Sequence, residues 1–66
     1  MSGGGVRYMV SLLSRKWRLT IDRWYFPYDQ DGLAKARAKR SELMARYLDN
    51  DVELVAIDEK YRIVRQ

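Results

Sequence analysis

The chain has no cysteine and no histidine, one proline, one phenylalanine, and four glycines of which three are consecutive. Without cysteine there are no disulfide staples and no thiolate chemistry. With histidine also missing, the usual zinc ligand sets and imidazole acid/base catalysis are excluded together. Apolar runs are short and broken by charge, so no segment approaches the roughly 20 residues needed to cross a bilayer. The N-terminus lacks the charged-then-apolar layout of a secretion signal, and the expectation is a cytoplasmic protein. At 66 residues there is room for one domain with a small core, since a chain of this size buries only about 60% of its unfolded surface. A deep catalytic cleft is not expected.

Positive charge is present in blocks. Residues 1–28 hold five basic residues against Asp22, and residues 33–48 hold five against Glu42. Residues 49–59 hold five acids and no base, and the last seven residues hold three bases and no acid. A positive field concentrated in the first three quarters suits a polyanion better than an acidic small molecule, although a small domain also needs net charge to stay soluble.

Residues 1–5, including the glycine run, read as a flexible N-terminal arm, and residues 6–66 as a single domain. From Val6 the pattern has period two: Val6, Tyr8, Val10 and Leu12 point one way, Arg7, Met9 and Ser11 the other. After a turn at Ser14–Lys16, Trp17, Leu19 and Ile21 alternate with Arg18 and Thr20 in a second strand, the apolar set facing the core. The segment Arg23–Pro27 either continues this strand or, if Asp22 and Arg23 turn, forms a short third one that Pro27 closes as an edge.

Asp29 and Asp31 then sit where a helix N-terminus favours a cap and negative charge, and residues 32–48 are rich in helix formers. At 100° per residue Leu33, Met44 and Leu48 form the centre of the apolar arc, and Lys35, Lys39, Glu42 and Arg46 a solvated stripe. Arg37 and Arg40 fall inside the apolar arc. Either their stems cover the rim of the core with the charge in water, or they meet an acidic or phosphate-bearing partner. Residues 52–57 and 61–65 are two further β-like runs, a hairpin or one strand and a tail. The expected class is α+β: a small antiparallel sheet, β-β-(β)-α-β-β, with one helix packed on one face.

Catalysis would have to come from carboxylates and tyrosines. Asp29 with Asp31 and Asp49 with Asp51 flank helix ends, where capping and solvation explain them. No glycine-rich phosphate loop stands between strand and helix. The expectation is a non-enzymatic chain with no cofactor and no metal.

The thirteen residues Arg15–Pro27 hold both tryptophans, the phenylalanine and four basic residues. If Asp22 and Arg23 turn, a solvent-facing row drawn from Arg7, Arg18, Thr20, Arg23 and Tyr25 offers guanidinium forks for phosphates and guanine edges and a flat ring for sugars and bases, with Arg15 and Lys16 adding phosphate contacts. The same aromatics serve equally as the core of a tiny domain. Gly5–Tyr8, Lys16–Ile21 and Trp24–Asp29, followed by a helix opening at Gly32, resemble the three-stranded-sheet-plus-helix DNA-binding domain of plant ethylene-response factors. They are also similar to the arm-site-binding N-terminal domains of phage and transposon tyrosine recombinases. The resemblance covers about residues 5–48 and implies a sheet inserted in the major groove, with Arg7, Lys16, Trp17, Arg18 and Arg23 in contact with DNA. The sequence departs from the family in its Gly5-to-Trp17 spacing, in Pro27 where a glycine is usual, and in the acidic segment after the helix.

Two functions are therefore expected. The first is a small DNA-binding module, of phage or mobile-element origin, contacting duplex DNA through Arg7, Arg15, Lys16, Trp17, Arg18, Arg23 and Tyr25. The second is a protein-binding module, such as a phage-encoded inhibitor or accessory subunit that docks on a host nucleic-acid enzyme, with Arg37 and Arg40 as partner-binding residues. A homodimer fits either, because a short chain gains core by association.

Overall fold

The computed structural model describes residues 5–64. Of the expected N-terminal arm only Gly5, in a turn, belongs to them; residues 1–4 lie outside. Strand β1 (Arg7–Ser14) and strand β2 (Leu19–Pro27) form a hairpin, helix α1 (Gln30–Arg46) follows, and β3 (Asn50–Ile57) returns to pair with β1. The result is a three-stranded antiparallel sheet in the order β2-β1-β3 with the helix on one face, the α+β layout that one segregated helix requires.

The register sorts the side chains into two faces, because directly opposed residues share a side of the sheet. Tyr8, Val10 and Leu12 stand beside Phe26, Trp24 and Asp22 of β2 and beside Ala56, Leu54 and Val52 of β3. This side meets the helix: Val10, Ala36 and Leu43 are buried together, with Tyr8, Trp24, Phe26, Val52 and Leu54 packed around them. Arg7, Met9, Ser11 and Leu13 carry the other face.

The helix is turned relative to its expected docking face. Gly32, Ala36 and Leu43 are its buried residues, whereas Met44 and Leu48, expected at the centre of the apolar arc, are 56% and 77% exposed. Gly32 supplies the reason. A Cβ at this position would overlap the backbone carbonyl of Pro27, so the first helical turn lies directly against the end of β2. The close approach is held by Asp29, the N-cap, whose carboxylate accepts a 2.6 Å hydrogen bond from the Gly32 N–H, as N-cap aspartates do. With small helix residues facing the sheet, the space is filled by the sheet's aromatics; large opposite small is how a thin core reaches close packing. Lys39, expected on the solvated stripe, lies at the β2 edge with its ammonium 5.1 Å from the Trp24 ring centroid and an ion pair of 3.5 Å to Glu42.

The first hairpin also departs from expectation. Residues 15–18 form the turn, so Trp17 and Arg18 precede β2 instead of lying on it. The segment from Arg23 continues β2 without a turn, and the ladder slips between Leu12 and Leu13, where Asp22 and Thr20 are the successive partners and Ile21 is left over as a bulge. A bulge breaks the alternation. Trp17 in the turn, Leu19 opposite Ser14 at the far end of the helix side, and Ile21 at the bulge, all expected to face the core, are 67%, 63% and 55% exposed.

After β3 the chain forms one turn and a tail. Asp58 organises it: its carboxylate accepts from the N–H groups of Lys60 (2.8 Å) and Arg62 (2.9 Å) and from the Arg62 guanidinium (3.0 Å). The Arg62 backbone donor is the main reason that this carboxyl is held below its ordinary pKa, with Lys60 N–H and the guanidinium adding to it. The tail then lies along the outer edge of β3 through the Ile57–Ile63 bridge and the Val64 N–H to Ala56 carbonyl bond of 2.8 Å.

Candidate nucleic-acid interface

The face opposite the helix carries Arg7, Met9, Ser11 and Leu13 on the central strand. Their β2 partners are Pro27, Tyr25, Arg23 and Thr20, and their β3 partners Ile57, Val55, Glu53 and Asp51. Four of the five residues expected in the solvent-facing row, Arg7, Thr20, Arg23 and Tyr25, therefore share this face, and Arg18 stands at the turn beyond it. The helix covers none of them.

Charge on this face is divided by strand. Arg23 and Tyr25 are exposed on β2, while the acidic segment, having become β3, places Asp51 and Glu53 on the far side of β1. Asp51 takes up Arg15: the guanidinium donates from Nε at 3.2 Å and from a terminal nitrogen at 3.0 Å to one carboxylate oxygen, closing a shallow cleft lined by Leu13, Ser14, Arg15, Arg18 and Asp51. Arg15 is thus partly neutralised within the chain. The ion pairs among the described residues are Arg15–Asp51, Lys39–Glu42 and Arg62–Asp58. Arg7, Lys16, Arg18 and Arg23 are in none of them. Lys35, Arg37, Arg40, Arg46 and Lys60 are in none either; what sets the first four apart is that all belong to the β1–β2 hairpin.

Arg7 is held by rings instead of acids. Its guanidinium carbon lies 4.8 Å from the Tyr25 centroid and 5.2 Å from that of Tyr61. Cation–π contacts fix a guanidinium while leaving its N–H donors unspent. Tyr61 has φ 61°, in the left-handed region that a tyrosine adopts at a cost. Nothing in its local sequence marks Tyr61 as a partner of a residue 54 positions earlier; the contact arises because the turn at Asp58, ahead of the tail on β3, brings the Tyr61 ring to the Arg7 end of the sheet.

At the opposite end the turn is closed by Arg18, whose N–H donates to the Ser14 carbonyl at 2.7 Å, and by the Trp17 N–H on Ser14 Oγ at 3.2 Å. Arg18 also has a positive φ, 55°. Glycine or asparagine would occupy this position at less cost, and an arginine retained there places a long cationic arm at the tip of the hairpin. Trp17 is exposed beside it, with the Lys16 ammonium 5.2 Å from its ring centroid.

Arg37 is exposed and Arg40 half-buried on the helix, on the opposite layer from the hairpin's bases, so the structure does not join them to the sheet site. Among the described residues no group of three acidic side chains is placed to hold a metal, and no helix is long and apolar enough to cross a membrane. Family models, curated proteins and solved structures contain no match to this chain.

Proposed function

We propose that the chain is a non-enzymatic DNA-binding module whose β1–β2 hairpin enters the major groove, with Arg7, Lys16, Arg18 and Arg23 on phosphates and base edges and Trp17 and Tyr25 against sugars and bases. The observation that carries this reading is the set of four hairpin bases without an internal carboxylate, on a layer that the helix leaves uncovered. A two-stranded ribbon fits a major groove about 12 Å wide, and the strained Arg18 at its tip is the kind of local cost that functional sites carry. Asp51 and Glu53 repel phosphate and so orient the module with β2 towards DNA and β3 away from it. The resemblance implies three strands and then a helix, whereas the order here is strand, strand, helix, strand, so the reading stands on the exposed hairpin bases.

Four phosphate contacts give an expected slope of about −4 for log affinity against log salt concentration, since each neutralised phosphate releases close to one counterion. Fluorescence anisotropy on a labelled duplex at several ionic strengths measures it. Arg18→Glu with Arg23→Glu should lower affinity by roughly tenfold or more at an unchanged melting temperature, because both side chains are exposed. Salt-independent binding, or none, rejects the reading.

A second reading, a protein partner, is favoured by one observation. Trp17, Leu19 and Ile21 are exposed at the hairpin end, and because β3 starts opposite Ser14, the exposed Met44 and Leu48 just ahead of it come to that same end. A discrete complex that survives nuclease treatment is its test.

A further inference from the structure

The two edges of the sheet are treated differently by the chain. The outer edge of β3 is occupied over its last residues by the chain's own tail, through Ile57–Ile63 and Val64 N–H to Ala56. No strand among the described residues pairs with the outer edge of β2; within it the Arg23 N–H donates to the Asp22 carboxylate at 2.8 Å, a local bond that an incoming strand would exchange for its own. An open row of backbone donors and acceptors is a template for another strand. Two devices bound the open stretch: the bulge at Ile21 interrupts it on one side, and Pro27, with no N–H, ends it on the other. Between them lie Asp22, Arg23, Trp24, Tyr25 and Phe26.

We infer that β2 pairs with β2 of a second copy, antiparallel, about a two-fold axis at Trp24. The inference stands on the sheet edges and does not depend on the DNA reading. Charge selects the register. Directly opposed residues must share a face, so the two-fold passes through a residue. An axis at Asp22 or at Arg23 sets like charges directly against each other, which destabilises a cross-strand pair. An axis at Tyr25 sets Pro27 against Arg23 and shortens the ladder. With the axis at Trp24, the two Trp24 rings are opposed, Asp22 faces Phe26 of the partner subunit, and Arg23 faces the partner's Tyr25 twice over, a cationic guanidinium beside an aromatic ring. This register spans the whole run from the bulge to Pro27 and contains no opposed like charges. Both helices lie on one side of the resulting six-stranded sheet, and the faces carrying Arg7, Arg23 and Tyr25 become continuous on the other. Closed two-fold pairing also removes the open edge, and the second copy shields the outer side of Trp24, which is half-buried in a fold with five buried apolar residues among those described.

Analytical ultracentrifugation of the unmodified chain without DNA, from micromolar to millimolar concentration, should show a monomer–dimer equilibrium. Hydrogen exchange at the dimer end of that range should protect additional amides within residues 22–26. The absence of native cysteine makes the register directly testable under mild oxidation. Trp24→Cys should cross-link to itself, and Asp22→Cys should cross-link to a Phe26→Cys chain but not to itself, circular dichroism reporting that each variant is folded. A monomer at every concentration overturns the inference while leaving salt-dependent DNA binding intact. A dimer without added protection of β2, or self-linking of Asp22→Cys, places the contact on another surface or in another register and overturns it as well.

Discussion

Trp17 and Trp24 stand seven residues apart, yet Trp24 sits opposite Val10 in the middle of the sheet while Trp17 lies in the turn at its hairpin end. At the end where α1 begins, everything is close: Gly32 lies on the Pro27 carbonyl, Ile57 is buried under the tail, and the rings of Tyr25 and Tyr61 hold Arg7. Trp24 lies nearer that end, within the core cluster. At the hairpin end Trp17, Leu19 and Ile21 are in solvent. The first end holds its rings in contacts with the core or with Arg7, whereas the second leaves the Trp17 ring in solvent beside Lys16 and Arg18, with Arg15 paired to Asp51. Identical residue types thus do different work according to their distance from the helix.

The sharpest way to break this comparison is to truncate both tryptophans. Trp24→Ala should cost about 3 kcal/mol, the lower end of what a core tryptophan loses because its ring is half-buried, whereas Trp17→Ala should stay within about 0.5 kcal/mol. Denaturant titration of the two variants measures the contrast, and equal losses would refute it. Gly32→Ala comes next. In an open helix this change gains up to about 1 kcal/mol; here the methyl group has the Pro27 backbone in its way and the expectation is a loss of about 2 kcal/mol, read from the thermal midpoint.

Arg18→Gly separates stability from binding. Relief of the left-handed conformation should stabilise the fold by about 1 kcal/mol, while the loss of one phosphate contact should bring the salt slope about one closer to zero. A variant that loses stability would show that the Arg18 side chain is structural. The smallest effect is confined to the tail. Because the Asp58 carboxyl is held below its ordinary pKa by the Arg62 and Lys60 donors, its contribution is present above the unfolded-state value and disappears as pH falls through the lower folded one. Acidification through and below the ordinary carboxylate range should loosen the turn and release Tyr61 from Arg7 ahead of global unfolding. The Tyr61 ring resonances followed by NMR would report it, and an Asp58→Asn variant should show no such transition.

Much of the architecture was readable from local pattern. The alternation through Val6–Leu12 located β1, and the acidic pair and the alanine-rich run located α1 and its cap; Thr20 shares a face with Arg23 and Tyr25 only because the bulge at Ile21 shifts the alternation, not through the turn at Asp22 and Arg23 that the expectation required. The failures share a cause. Trp17, Leu19 and Ile21 alternate as a buried strand would, but the turn extends to Arg18 and the bulge falls at Ile21. Periodicity puts Met44 and Leu48 at the centre of the apolar arc, but Leu48 lies beyond the end of α1, and the close approach at Gly32 turns Gly32, Ala36 and Leu43 inward. The partnerships Arg15–Asp51 and Arg7–Tyr61 join residues far apart in the chain, so no spacing rule announces them.

What the sequence by itself determined is the first strand, the one helix and the cap at its start, and that cations gather near two tryptophans. These depend on backbone sterics, capping and side-chain period, all of which act within a few residues. Only the tertiary structure decided which helix face met the sheet, which strand closed on which side of β1, and hence which cations were neutralised and which edge stayed open. Those outcomes depend on how closely two layers approach and on the register of distant strands, and both are settled by the whole set of contacts at once.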